Sequence, residues 1–251
     1  MTPGVVVDVG NTAIKWGRCA DGRVSETCSL SPDGLNAWRG QAHQWQLPSP
    51  LVWVIAGVHP QRRHAFESYA RLRGDTVHVL TGASSLPLRV LVDKPDHAGI
   101  DRLLDAVAAN SRRPAGVPAV VIDAGSAVTV DLLDETGAFT GGAILPGLRL
   151  MAKALHDYTA LLPLVEPPGK GGATPPLPGT ATIPAIEAGI FWAVAGGVEA
   201  ILREYRIHCG SPIEVFVTGG DGPLLQSILP ETRFWPEMTL EGIRLSVEAL
   251  P

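Results

Sequence analysis

A chain of 251 residues that is 45% hydrophobic and 18% charged has enough material for one large α/β domain or two small ones. Its net charge of −5 and pI near 5.8 argue against a general nucleic-acid surface, and the basic run Gln61-Arg62-Arg63-His64 reads as a solvated helix start. Three scattered cysteines, Cys19, Cys28 and Cys209, exclude a disulfide framework or zinc site and read as buried or half-buried thiols in a reducing compartment.

The first residues enter a strand without a basic and apolar leader, so a cytoplasmic protein is expected. Val5 to Lys15 reads V-V-V-D-V-G-N-T-A-I-K: a buried strand ending on Asp8, a turn on Gly10, and a returning strand. Turn amides beside Asn11 and Thr12 are suited to donate to phosphate oxygens, and Asp8 to hold a hydrated magnesium ion. The plain alternative is an ordinary hairpin whose polar residues satisfy its own turn. Arg23 to Leu30 adds a third strand, and Ser31-Pro32-Asp33 offers a cap before a helix around Leu35 to His43. Leu51 to Ala56 is an apolar run of strand length, Pro60 starts a helix to about Leu72, and Thr76 to Leu80 is the next strand. A helix follows over Gly99 to Asn110.

A second half begins near Val117, with strands expected over 117–122, 126–133 and 137–144, then Pro146-Gly147 and a helix to about Tyr158. Pro167 to Gly179 is a Pro/Gly-rich loop, and its Lys170-Gly171-Gly172 lacks the spacing of a phosphate-binding P-loop. The most hydrophobic long stretch, Thr182 to Leu202, carries Glu187 and Glu199 and suits a buried helix over Ile183 to Tyr205, with no membrane span. A strand at Ile213 to Thr218 and a terminal αβα segment close the chain.

Val120 to Asp131, V-V-I-D-A-G-S-A-V-T-V-D, echoes the first hairpin. Asp123, Gly125 and Gly137 each lie 115 positions (123 − 8) beyond Asp8, Gly10 and Gly22. Two copies of one α/β unit, 1–115 and 116–251, are therefore expected. Duplicated halves with facing D-x-G turns resemble the superfamily of acetate kinase, sugar kinases, actin and heat-shock ATPases, which implies two ribonuclease-H-like domains with ATP in the cleft between them.

Further signals lie along the chain. Gly99-Ile100-Asp101-Arg102 opens a helix, where Asp101 either caps it or takes a proton from a substrate hydroxyl, and Arg102 has the fork that suits a carboxylate. Ser126 and nearby amides suit outer phosphates, and Asp123 a cation. Gly141-Gly142-Ala143-Ile144-Leu145-Pro146-Gly147 brings backbone against backbone, and Thr218-Gly219-Gly220 leaves room for a flat ring on the backbone.

In this order the set resembles type III pantothenate kinase, over Asp8 to Gly220. D-x-G-N-T-x-x-K combined with G-x-D-R is close to unique to that family among relatives of the fold. The resemblance implies ATP-dependent phosphorylation of the primary hydroxyl of pantothenate, the first step towards coenzyme A. It further implies a homodimer, Mg²⁺ and a monovalent cation (K⁺ or NH₄⁺). By position, Asp8, Gly10, Asn11, Thr12 and Lys15 meet nucleotide phosphates and metal, Ser126, Gly219 and Gly220 meet ATP, and Asp123 holds the monovalent cation. Asp101 is the general base, and Gly99, Ile100, Arg102 and Thr182 meet pantothenate. Two positions depart from the family: Ser126 replaces a threonine, and Val92 stands where a tyrosine lies seven residues before Gly99. The second departure leaves room for another hydroxyl acceptor, or for a non-catalytic regulatory relative.

Overall fold

The computed structural model describes residues 2–166 and 173–249. In chain order the elements are β1 (Val5–Val9), β2 (Ile14–Ala20), β3 (Arg23–Leu30), α1 (Leu35–Gln44), β4 (Val52–Ala56), α2 (Pro60–Leu72), β5 (Thr76–Val79) and α3 (Ile100–Arg112). There follow β6 (Ala119–Ala124), β7 (Ala127–Leu133), β8 (Phe139–Pro146), α4 (Leu148–Asp157), α5 (Thr182–Cys209), β9 (Glu214–Thr218), α6 (Gly222–Gln226), β10 (Arg233–Phe234) and α7 (Met238–Glu248). The segment Lys170-Gly171-Gly172 lies outside the described residues.

Two compact units result, one of the residues up to Arg112 with those from Glu237 on, the other of Arg113–Pro236. Each holds one five-stranded sheet, in the order β3-β2-β1-β4-β5 and β8-β7-β6-β9-β10. In both, the first three strands in sequence form antiparallel pairs, and the next two add in parallel beside the first. This shared order is the ribonuclease-H-like plan, and the duplication extends to detail. The register slips between Arg18 and Cys19 in the first meander and between Leu132 and Leu133 in the second. Gly22 and Gly137 both take positive φ, +70° and +86°, at the hairpin that follows.

The last helix corrects the expected 116–251 boundary. α7 packs on α3 and across β1, β2, β3 and β4, so the chain returns to the first unit after β10. The contact with α3 is backbone on backbone: a Cβ on Gly242 would lie 2.0 Å from the Leu104 carbonyl oxygen. Arg244 on α7 is buried between Glu241 and Glu248, at 2.6 Å from each, and Glu241 accepts the Val24 N–H at 2.9 Å, fastening α7 to β3.

The first core is aromatic. Trp16, Trp53 and Phe66 are fully buried and meet edge to face, with Trp38, Trp45 and Tyr69 around them. Asp75, its side chain fully enclosed, accepts from Leu51 N, Trp53 Nε1 and Arg73 Nε at 3.0, 2.7 and 2.8 Å and ties the start of β4 to β5. The second core sets Phe191, Val194, Ala195, Val198 and Leu202 of α5 against β6, β7 and β9. α5 has the length and hydropathy of a membrane span, yet that face is buried in the unit. It runs four residues beyond the expected Tyr205 and stops at Gly210, whose φ of +60° gives the left-handed cap.

One smaller expectation changes, at the start of α1, and the reading of the cysteines holds. Gly34, not Ser31, precedes α1, and Ser31 instead offers its carbonyl to Gly34 N and Trp38 Nε1. The cysteines are half-buried free thiols, and burial pushes Cys19 up to about 12 and Cys28 to about 11, so both stay protonated at neutral pH.

The packing separates two glycines sharply. Gly242→Ala is expected to lower stability by about 1–3 kcal/mol through overpacking on Leu104. Gly40→Ala in α1, with no atom within 4 Å of the added methyl, is expected to be stabilising by up to ~1 kcal/mol. Urea unfolding midpoints check both; equal effects would contradict the α3–α7 contact.

Candidate active site

In the first unit, β1 and β2 pair so that Asp8 stands directly opposite Lys15, which sets both side chains on one face of the sheet. Gly10 N–H donates to the Ala13 carbonyl at 3.0 Å and closes the turn. Asn11 and Thr12 form its exposed tip, and neither backbone N–H has a protein acceptor among the described residues. Such free donors beside a lysine suit an anion. Below the turn, β4 runs parallel to β1 with Ala56 beside Asp8, and Gly57 follows at φ +150°. A Cβ on Gly57 would lie 2.3 Å from the Val9 carbonyl oxygen. Arg62, in the first turn of α2, donates to the Asn11 carbonyl and pairs with Asp33 Oδ2 at 3.3 Å. Neither Gly57 nor Arg62 was legible as a site residue from sequence.

Gly99, Ile100, Asp101 and Arg102 form the entry to α3. Asp101 is half-buried in the first turn, and its Oδ1 accepts the Arg102 N–H at 2.9 Å. The other carboxylate oxygen has no protein donor among the described residues. A Cβ at Gly99 would lie 2.6 Å from Asp101 Oδ1, so a larger residue there would displace the carboxylate. Ile100 is 6% exposed and belongs to the core, which leaves only its backbone for a substrate. Val92 is half-buried in the loop before α3.

In the second unit, Asp123 stands opposite Thr129 on β7 and beside Thr218 on β9, so the three side chains lie in a row on one face. The Thr129 hydroxyl is buried and has no hydrogen-bond partner among the described residues. Thr129 occupies the place that Lys15 has in the first unit. A carboxylate with an orphaned buried hydroxyl across the strand is an oxygen donor set that fits a small cation.

Gly125 N–H donates to the Ala127 carbonyl at 3.0 Å and closes the second turn, leaving Ser126 exposed at its tip. Gly147 rests on this turn: its N–H donates to the Ser126 carbonyl at 3.1 Å, and a Cβ there would lie 2.4 Å from the Gly125 carbonyl oxygen. The two glycines after β9 separate in role. Gly219, at φ +91°, is pressed to within 2.4 Å of Ala124 O and Asp123 Oδ1, measured from a Cβ built on it. Gly220 is exposed, with nothing within 4 Å of such a Cβ, and offers open backbone. Thr182 lies in the first turn of α5, on a groove of about 600 Å³ lined by Met151, Leu155, Leu162, Ile186 and Ile190.

The profile of the family described as type III pantothenate kinase matches residues 4–204. A type III pantothenate kinase of Paramagnetospirillum magneticum is 33% identical over 232 residues, covering 88% of this chain and 86% of that protein. One of Alkalilimnicola ehrlichii is 32% identical over 245 residues, covering 95% of each. Among solved structures, a conserved Campylobacter jejuni protein described as a Baf family transcriptional activator superposes with a TM-score of 0.64 at 17% identity, over 97% of both chains. A solved kinase of Sinorhizobium meliloti and a solved dehydratase activator of Clostridium difficile with a bound ATP analogue, at 14% and 17% identity, share the fold as well.

The glycine pair after β9 gives a direct test. Gly219→Ala is expected to destabilise by more than about 1 kcal/mol, since its backbone conformation is closed to alanine. Gly220→Ala is expected to keep wild-type stability and to change nucleotide affinity alone. Thermal unfolding with and without nucleotide measures both, and a destabilised Gly220→Ala would contradict the open surface.

Proposed function

Because the chain belongs to the type III pantothenate kinase family, we propose that these residues transfer the γ-phosphoryl group of ATP to the primary hydroxyl of pantothenate, the opening step of coenzyme A synthesis. The observation that carries this reading is the family match across residues 4–204, which takes in both acid–glycine turns and the α3 entry. Phosphoryl transfer asks a protein chiefly for positioning and charge neutralisation, and free turn amides beside a lysine supply both.

The roles follow the chemistry of each group. The Asn11 and Thr12 amides with Lys15 and Ser126 hold the outer phosphates, and Gly220 offers its backbone to the rest of the nucleotide. Asp101 accepts the proton of the attacking hydroxyl, with one carboxylate oxygen kept by the Arg102 amide and the other left for the substrate. Arg102 and Thr182 orient pantothenate, and half-buried Val92 shapes its pocket. Mg²⁺ would be held by Asp8 and would neutralise phosphate charge. No cluster of three His, Cys, Asp or Glu occurs among the described residues, and a magnesium held by one carboxylate, water and phosphates needs none. K⁺ or NH₄⁺ would be held by Asp123 with the Thr129 hydroxyl. A cytoplasmic homodimer completes the reading.

ADP release by the pure protein with ATP, Mg²⁺ and K⁺, with and without pantothenate, tests it. Pantothenate-dependent ADP is expected; no stimulation with ATP still bound would move the reaction to another hydroxyl acceptor. Asp101→Asn is expected to lower kcat by ~10²–10⁴-fold at unchanged ATP affinity. An unchanged kcat would return Asp101 to a helix-capping role. Val92→Tyr is expected to shift KM for pantothenate far more than KM for ATP, and equal shifts would remove Val92 from the acceptor pocket.

A further inference from the structure

We propose that Arg62 is a positioning residue for the nucleotide: it sets the peptide between Asn11 and Thr12 so that the Thr12 N–H is presented to a phosphate. The inference rests on the reading of Asn11 and Thr12 as phosphate-contacting residues. Arg62 lies in the first turn of α2, where its own N–H is accepted by His59 Nδ1 at 3.4 Å, and its side chain is only 24% exposed. One arm of the guanidinium donates to the Asn11 carbonyl and the other pairs with Asp33 Oδ2 at 3.3 Å, on the loop between β3 and α1. The basic run around it is therefore not simply solvated.

A trans peptide is planar, and its C=O and the following N–H point in opposite directions. Holding the Asn11 carbonyl on Arg62 therefore turns the Thr12 N–H away from Arg62. That N–H has no acceptor among the described residues, so the donor is kept available. A two-residue tip with no lateral bond would otherwise flip its peptide at little cost. The planar fork of arginine suits the task because one arm grips the carbonyl while the second is anchored on Asp33. A merely structural tie between α2 and the hairpin would lower stability without favouring either substrate.

The test compares wild type with Arg62→Ala, Arg62→Lys and Asp33→Ala. KM for ATP and for pantothenate comes from ADP release, Kd for the β,γ-imido analogue of ATP from calorimetry, and Tm from thermal unfolding. Arg62→Ala is expected to raise KM and Kd for nucleotide about tenfold, the loss of one charge-assisted hydrogen bond, with KM for pantothenate moving less than about twofold. Arg62→Lys is expected to recover part of the loss, and Asp33→Ala to weaken nucleotide binding in the same direction by less. Unchanged nucleotide Kd, an equal rise for both substrates, or a fall in Tm alone would overturn the proposal. If Arg62→Ala does not fold, the lysine and Asp33 variants carry the comparison. A wild-type protein that ignores pantothenate would sink the pantothenate reading, while the nucleotide Kd series would still decide the role of Arg62.

Discussion

In each unit a parallel strand ends on a glycine pressed against the strand that carries the acid, and the site depends on that contact. Gly57 meets the Val9 backbone and Gly219 meets Ala124 and the Asp123 carboxylate, at distances that a side chain could not share. Both take φ values open mainly to glycine, +150° and +91°. The close approach lets β4 and β9 stay in register up to the level of Asp8 and Asp123 before the chain turns away. The acid is thereby fixed at the end of a central strand, with a short hairpin above it. Everything assigned to phosphate or cation stands on those two hairpins or on the glycines beneath them.

Much of this was legible in the sequence, because apolar runs bounded by acids and glycines are direct records of buried parallel strands. The hairpins, the meander after each and the helix entered at Gly99 need only local patterning. What the sequence hid was long-range. Gly57 follows V-I-A in a run that looks like any strand end, and its counterpart Gly219 lies 162 positions on (219 − 57), not 115, since α1 alone precedes β4 whereas both α4 and α5 stand between β8 and β9. The return of α7 to the first sheet was equally hidden, because the pattern of an amphipathic helix does not say which of two sheets it covers. Arg62 read as a solvated charge, because only the fold brings it beside a turn fifty-one residues earlier. Thr129 read as a routine strand residue, because its orphaned hydroxyl exists only after burial.

The two hairpins share a plan and differ where their charge is set. Asp8 faces Lys15 across the strand, whereas Asp123 faces Thr129. The first turn also carries one residue more between its closing pair, Gly10 to Ala13 against Gly125 to Ala127, and so exposes two tip amides where the second exposes one. An acid beside an ammonium has its charge largely offset, and the surplus donors at the tip then favour an anion with its own counter-ion. An acid beside a neutral hydroxyl keeps its attraction for a cation and has a second oxygen ready to help hold one. In the proposed reading, one duplicated scaffold is divided between two electrostatic tasks by a single cross-strand neighbour and one residue of turn.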